Sequence, residues 1–288
     1  MGERKIGLAL SSGGARGSAH IGVLKVLGEH GIRPDVIAGT SMGAEIGGVY
    51  AAGVDLECIA DLWRNNAFSH VFKTLLPTIP WSGWSSGNGI TSLLRDLVGN
   101  RRIEDLDLAM AVVATDLQQG TPYSITSGSL VEAIRASVSV PGLFTPVWID
   151  ERLLIDGGVS NPMPVDVARN LGADVVIAVD VLVDPSEVKL SGIPARDRVL
   201  GITQQWEAPS KNGRRFHPSV FAVLFQMSTV FQRRLCDQLL AVHPPDILIR
   251  PDFRSDPPTY GHVGCGIEAG EHSVRAAMPD ILRILGRA

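Results

Sequence analysis

The sequence predicts an α/β fold, a mostly parallel central sheet flanked by helices, and three observations predict it. Two units of strand, glycine-rich turn and helix follow one another within the first 53 residues. Later apolar runs, MAVVA at 110–114 and ADVVIAVDV at 173–181, lack polar alternation, as strands buried on both faces do. Helical stripes separate such runs, so the first two strands are joined by a right-handed crossover and lie parallel.

Element by element, Lys5 to Ser11 is a short apolar strand that ends in glycine-rich backbone. Ile21, Leu24, Val26 and Leu27 then form a helical stripe that stops at Gly31. Asp35 to Ala38 is too short and too β-branched for a helix and reads as the second strand, followed by small residues at helical spacing up to Gly53. An amphipathic helix is expected near Cys58 to Arg64, and another over the segment ITSLLRDLVG. Met110 to Ala114 is a strand with TPYSIT as its antiparallel neighbour, and Leu130 to Ala136 a helix. VWI and RLLID form a hairpin around Asp150-Glu151 that leads into Asp156-Gly157-Gly158. Pro164 opens a further helix before the strand at 173–181. Residues 189–217 are polar and weakly periodic, which reads as a mobile loop that could act as a lid. Helices after Pro218 and from Ala269 to Leu285 close the chain, whose 288 residues are read as one domain with its motifs in about 5–185 and a C-terminal helical part, 218–288.

Composition narrows the function. With 26 basic and 30 acidic residues the net charge is −4, without a long block of one sign, so nucleic acid is not an expected partner. Three cysteines, Cys58, Cys236 and Cys265, have neither disulfide nor zinc spacing, and neither a metal nor an organic cofactor is expected. The N-terminal apolar run, Ile6 to Leu10, is shorter than a signal-peptide core of about 7–15 residues. The uncharged run from Thr74 to Leu94 is broken by prolines and glycines, so no spanning helix is expected. The expected location is the cytoplasm, with peripheral membrane contact as its variant. Glycine is the exception to this plain picture, because 13 of 31 fall in the first 53 residues. Glycine is used where backbone takes positive φ or approaches something closely, so this region reads as a site.

Gly39-Thr40-Ser41-Met42-Gly43 matches G-x-S-x-G, which chance alone supplies in roughly one chain in five at this glycine content. Its place between a strand and a helix is that of a nucleophile elbow, with Ser41 exposed at the strand's carboxyl end. The competing reading is a helix start capped by Thr40 or Ser41. Ser12-Gly13-Gly14-Ala15-Arg16-Gly17 offers several backbone N–H groups at a helix start, a cradle for a phosphate or a developing oxyanion. A dinucleotide fingerprint fails at Ser12, and Asp35 opens the second strand instead of ending it. Asp156, freed by Gly157 and Gly158, could serve a serine as general base, whereas Asp-Gly as a plain turn competes less well because Asp150-Glu151 already supplies one. A histidine triad stays open, with His217, His243, His262 or His272 as third member, and the facing of His20 is undetermined.

SSGGARG, GTSMG and DGG occur in this order, joined by Ser137-Val-Ser139-Val-Pro141-Gly-Leu-Phe144-Thr-Pro146 ahead of the aspartate. Together they resemble the patatin-like phospholipase family, in particular its bacterial single-domain members, over roughly residues 5–185. The resemblance implies a three-layer α/β/α fold and a Ser–Asp dyad of Ser41 and Asp156 without a catalytic histidine. It also implies an oxyanion hole from the N–H groups of Gly13 and Gly14 with Arg16 beside it. Ser12 departs from it, standing where the family usually has a glycine. The expected activity is that of a serine acyl hydrolase of lipid esters, acting on a lipid or acyl-ester substrate met transiently at a membrane surface. A thioesterase or transacylase would use the same nucleophile, and a regulatory protein that binds lipid without turnover is the alternative of another class. A dyad also requires Arg16 to point away from Asp156, because a nearby cation would weaken the base. Trp81, Trp84 and the apolar face from Val220 to Phe231 either pack in the core or meet lipid.

Overall fold

The computed structural model describes residues 4–64, 85–188, 192–194, 216–218, 220–253, 258 and 263–287. Strand β1 (Ile6–Leu10) leads through a 3-10 turn at Gly14–Gly17 into α1 (Ser18–Glu29), and β2 (Val36–Thr40) leads into α2 (Met42–Ala51). There follow α3 (Leu56–Arg64), α4 (Asn88–Val98), β3 (Ala109–Asp116), β4 (Thr121–Ile125) and α5 (Leu130–Ser137). Next come the hairpin β5 (Val147–Ile149) and β6 (Arg152–Asp156), α6 (Val165–Asn170) and β7 (Val175–Val179). Two short strands, β8 (Gly192–Pro194) and β9 (Phe216–Pro218), pair antiparallel at the ends of the segment read as a loop, and what lies between them is outside the described residues. The chain continues through α7 (Val220–Val242), β10 (Ile247–Ile249) and α8 (Gly264–Leu285). Trp81 and Trp84 also lie outside the described residues.

The sheet runs β10-β7-β1-β2-β3-β6-β5, with β4 on the other edge of β3. The first five strands are parallel, and β4, β5 and β6 make the antiparallel remainder. The parallel strands sort their residues by size. Leu8, Leu10, Ile37, Val112, Ile177 and Val179 join one core with α1, α2, α5 and α8. Ala9, Ala38, Ala111, Val113, Val176 and Ala178 face the other way, toward α6 and the Cys236–Leu240 end of α7. A one-residue slip would put leucines where alanines fit, so burial on both faces pins the register. The mostly parallel sheet between two helical layers is the architecture expected. No helix among the described residues is long and apolar enough to cross a membrane.

The eight-residue β3 organises the site. Its first half pairs with β2 as far as Val113 opposite Thr40, and its second half pairs with β6, starting at Ala114 opposite Asp156. Strand β6 therefore takes the lane that β2 vacates. Since β6 runs antiparallel to it, the carboxyl ends of the two strands meet head on, and Asp156 arrives at Ser41.

Strand β10 was not expected: three residues between proline-flanked turns are too few to show a period. The last helix begins at Gly264, five residues before the expected Ala269. The β5–β6 hairpin turns at Asp150 and Glu151 as expected, and both have positive φ, 49° and 61°. A two-residue turn of this kind favours Gly at its second position. Glu151→Gly is expected to stabilise the protein by about 1 kcal/mol, read as a higher denaturation midpoint with unchanged slope.

Candidate active site

Ser41 sits between β2 and α2 with φ 53° and ψ −116°, a left-handed backbone that a serine adopts only under constraint. The flanking glycines permit the constraint. A Cβ on Gly43 would run into the Leu10 carbonyl, and one on Gly39 would lie 2.6 Å from the backbone of Ala44. The backbone N–H of Ser41 donates to Ser137 Oγ (2.8 Å), whose hydroxyl donates to the Val113 carbonyl (2.6 Å). The strained turn is thus tied to α5 and β3.

Ser41 Oγ donates to Asp156 Oδ2 at 2.7 Å, and both residues are buried. The other oxygen, Asp156 Oδ1, accepts from the Gly158 N–H at 2.7 Å, while the Asp156 N–H donates to the Ser139 carbonyl and the hydroxyl of Thr115 donates to the Asp156 carbonyl. Burial raises the Asp156 pKa from 3.8 to about 6, against the lowering pull of the bonds from Ser41 and Gly158. At neutral pH the group is therefore an anion with appreciable basicity. Gly157 lies against Val113 and Thr40, which brings the Asp156-Gly157-Gly158 turn close under the elbow.

The glycine loop borders the same place. Gly13 abuts Val181, Gly17 abuts Met42 just after the elbow, and Gly14 takes φ 56°. Among the described residues the N–H groups of Gly13, Gly14 and Ala15 find no acceptor, whereas the Arg16 N–H bonds the Gly13 carbonyl. Unspent N–H groups at a helix start are ready for an anion. Ser12 is not among the residues with positive φ, which is why a serine fits there, and its hydroxyl donates to Gln232 Oε1 on α7 at 3.0 Å. The Arg16 guanidinium turns to Glu187 (2.6 Å) and lies over the Phe253 ring (4.9 Å). It points away from Asp156, and among the described residues no cation pairs with that carboxylate.

Two groups that sequence reasoning left unassigned, the buried His20 and the half-buried Gln232 with its neighbour Arg233, shape this region. His20 Nε2 lies 3.0 Å from the Ser11 carbonyl, and burial lowers its pKa to about 4. It is therefore neutral and donates from Nε2, which holds the base of the glycine loop in place. Gln232 and the Arg233–Asp180 ion pair (2.9 Å) dock α7 beside the loop. Nothing in the local sequence marks Gln232, which lies 220 residues from Ser12, whereas Ser137 was visible as part of a motif. Among the described residues no histidine hydrogen-bonds Ser41 or Asp156; His243 and His272 are exposed, and His262 and the side chain of His217 lie outside the described residues. No His, Cys, Asp and Glu among the described residues are grouped so as to hold a metal ion.

Helix α7 is inverted relative to a surface helix. Thr229, Gln232, Arg233 and Cys236 face the protein, while Leu224, Phe225, Met227 and Phe231 are exposed, Phe231 by 63%. Core packing is thus not the use of Leu224, Phe225, Met227 and Phe231, whereas Cys236 and Leu240 further along the helix do pack inward.

The patatin-like phospholipase family model matches residues 8–169 of this chain. An uncharacterized NTE family protein of Mycobacterium tuberculosis is 41% identical over 202 residues, which is 70% of this chain and 54% of the relative. Patatin-like phospholipase domain-containing protein 7 of Rattus norvegicus is 40% identical over 181 residues, 61% of this chain and 13% of the relative. Lysophospholipase nte1 of Aspergillus fumigatus is 36% identical over 181 residues, 62% of this chain and 12% of the relative. The chain therefore spans about half the length of the mycobacterial relative and a small part of the other two.

Proposed function

As the chain belongs to the patatin-like phospholipase family, we propose that it is a serine acyl hydrolase of lipid esters, with Ser41 as nucleophile and Asp156 as base. The observation that carries this reading is the 2.7 Å bond from the hydroxyl of an elbow serine to a buried carboxylate. In the proposed reaction Ser41 Oγ attacks the ester carbonyl carbon as its proton passes to Asp156 Oδ2. The carbonyl electron pair moves onto oxygen, and the N–H groups of Gly13 and Gly14 receive that oxyanion, each donor being worth roughly 3–4 kcal/mol. Collapse expels the alcohol, which takes the proton back from Asp156, and leaves an acyl-enzyme. Water then gives its proton to the same carboxylate and attacks, releasing the fatty acid and restoring Ser41.

The reading is tested with a fluorophosphonate probe and a lipid ester together: the wild type should label at Ser41 and release free fatty acid. Transfer of the acyl group to an added alcohol, with no free acid, would replace hydrolase by transacylase.

The outward apolar residues of α7, on a helix that also touches Ser12, support transient contact with a lipid surface. Leu224→Ser with Phe231→Ser is expected to lower turnover on phospholipid vesicles about tenfold and leave a soluble short-chain ester unaffected. Equal rates on vesicles would remove α7 from the lipid contact.

A further inference from the structure

Apart from Ser41 and Asp156, a pocket of about 320 Å³ opens between the first turn of α4, helix α5 and β5, with Asn88, Thr91, Glu132, Arg135 and Trp148 in its lining. Arg135 is only 5% exposed, yet among the described residues no carboxylate pairs with it. Its guanidinium donates to Ser139 Oγ (2.5 Å) and to the carbonyls of Ser86 (2.7 Å) and Thr145 (3.1 Å), and lies over the Phe144 ring (5.3 Å). Those acceptors are neutral, so the positive charge is solvated by dipoles without a counter-charge. Burying an ion that way is costly. Burial draws the Arg135 pKa down to about 10, which still leaves it cationic at neutral pH.

The second positive pole is the start of α4, an eleven-residue helix. Its first turn bond runs from the Thr91 N–H to the Gly87 carbonyl, and the Asn88 N–H reaches Ser86 Oγ at 3.4 Å. Among the described residues the N–H groups of Gly89 and Ile90 have no acceptor. The guanidinium occupies the space of the missing Gly87 side chain, where a Cβ would lie 2.5 Å from Arg135 Cζ. The helix start and the buried cation are therefore held against one another at one pocket, and both attract negative charge.

We propose that this pocket is a binding site for a phosphoryl oxyanion, held between the Arg135 guanidinium and the first turn of α4. Its volume takes a phosphate together with the group it esterifies. Glu132 is the acidic residue of the lining; it is exposed, makes no ion pair with Arg135, and holds affinity for a bare anion down. The site also touches the proposed catalytic pair, because Ser139 accepts from Arg135 through its hydroxyl and from the Asp156 N–H through its carbonyl. The anion is accordingly either the phosphate of a lipid substrate or free phosphate. The lipid source rests on the hydrolase reading, whereas binding itself does not.

The test titrates the Ser41→Ala protein with inorganic phosphate by calorimetry and thermal unfolding, with chloride at equal ionic strength as control. Saturable binding and a raised Tm with phosphate alone are expected. Asn88→Asp keeps the side-chain shape, suits a helix start and adds a carboxylate to the pocket; it should weaken phosphate binding at least tenfold. Glu132→Gln should strengthen it severalfold. Arg135→Gln should abolish binding, and should that variant fail to fold, the other two still decide. Equal responses to phosphate and chloride, or unchanged affinity in both Asn88→Asp and Glu132→Gln, would overturn the site. In the active protein, a KM for lysophospholipid raised about tenfold by Asn88→Asp, with a neutral monoacyl ester unaffected, identifies the lipid headgroup. Equal KM values for both esters beside weakened phosphate binding identify free phosphate. Absence of any ester hydrolysis by the wild type would defeat the hydrolase reading and leave the titration standing.

Discussion

Ser41→Ala is expected to lower kcat on a short p-nitrophenyl ester by about 10⁴-fold, roughly 5.5 kcal/mol of barrier, and Asp156→Asn by a comparable factor. The serine variant lacks the attacking atom. The asparagine variant keeps the side-chain shape and can still accept the Gly158 N–H that now bonds Oδ1 at 2.7 Å. What it lacks is an anionic oxygen to take the proton that Ser41 now donates to Oδ2. Groups that act as one unit are not additive, so the double variant should be no slower than either single one. Covalent labelling by a fluorophosphonate should vanish in Ser41→Ala and fall steeply in Asp156→Asn. Turnover equal to wild type in both would end the Ser–Asp reading, and loss of turnover in His217→Ala or His262→Ala with the fold intact would put a triad in its place.

The sequence made the two halves of this site legible for different reasons. The elbow and the glycine loop are local, each following its strand directly, and their glycines stand out because close approach to Leu10 and Val181 excludes a Cβ. Asp156 lies 115 residues from Ser41; the residues alone offered it as a base beside an open histidine triad, and the motif resemblance paired the two, whereas the lane change on β3 that brings them together leaves no trace in composition or period. The inverted helix α7 left both readings of its apolar face open for a physical reason. Hydrophobic periodicity tells which face is apolar but not whether that face is inward, and here Thr229 is buried and Gln232 and Arg233 satisfy the buried Ser12 and Asp180 while Leu224 and Phe231 face out. Arg135 was hidden within an ordinary amphipathic helix, since a basic residue in such a stripe normally marks the solvated side, and only the neighbouring Gly87 and Ser139 reveal its burial.

Asp156→Asn should also make the protein more stable while it destroys activity. Burial raises the Asp156 pKa from 3.8 to about 6, so as pH rises the unfolded chain ionises first and is favoured over the folded one. The stability held below about pH 3.8 is lost progressively up to about pH 6, to a total of roughly 3 kcal/mol at 1.36 kcal/mol per unit. Glu45, one turn after Ser41 on α2 and buried with Oε1 lacking a partner among the described residues, acts in the same direction over an overlapping and wider pH range. Burial raises it from 4.5 to about 8, so it is mostly neutral at pH 7, and its cost builds from about pH 4.5 to a total of roughly 5 kcal/mol by about pH 8. Urea midpoints at pH 4, 6 and 8.5 should therefore fall in the wild type, with Asp156→Asn removing about half of the decline between pH 4 and 6, and Glu45→Gln the other half together with most of the decline above it. The same Asp156 ionisation governs catalysis with the opposite sign, because only the anion can take the Ser41 proton: kcat/KM should lose its activity as pH drops through about 6. A midpoint curve for Asp156→Asn that runs parallel to the wild type from pH 4 to 6.5 would mean the carboxylate titrates as in an unfolded chain, and so weak a base could not serve Ser41 at neutral pH.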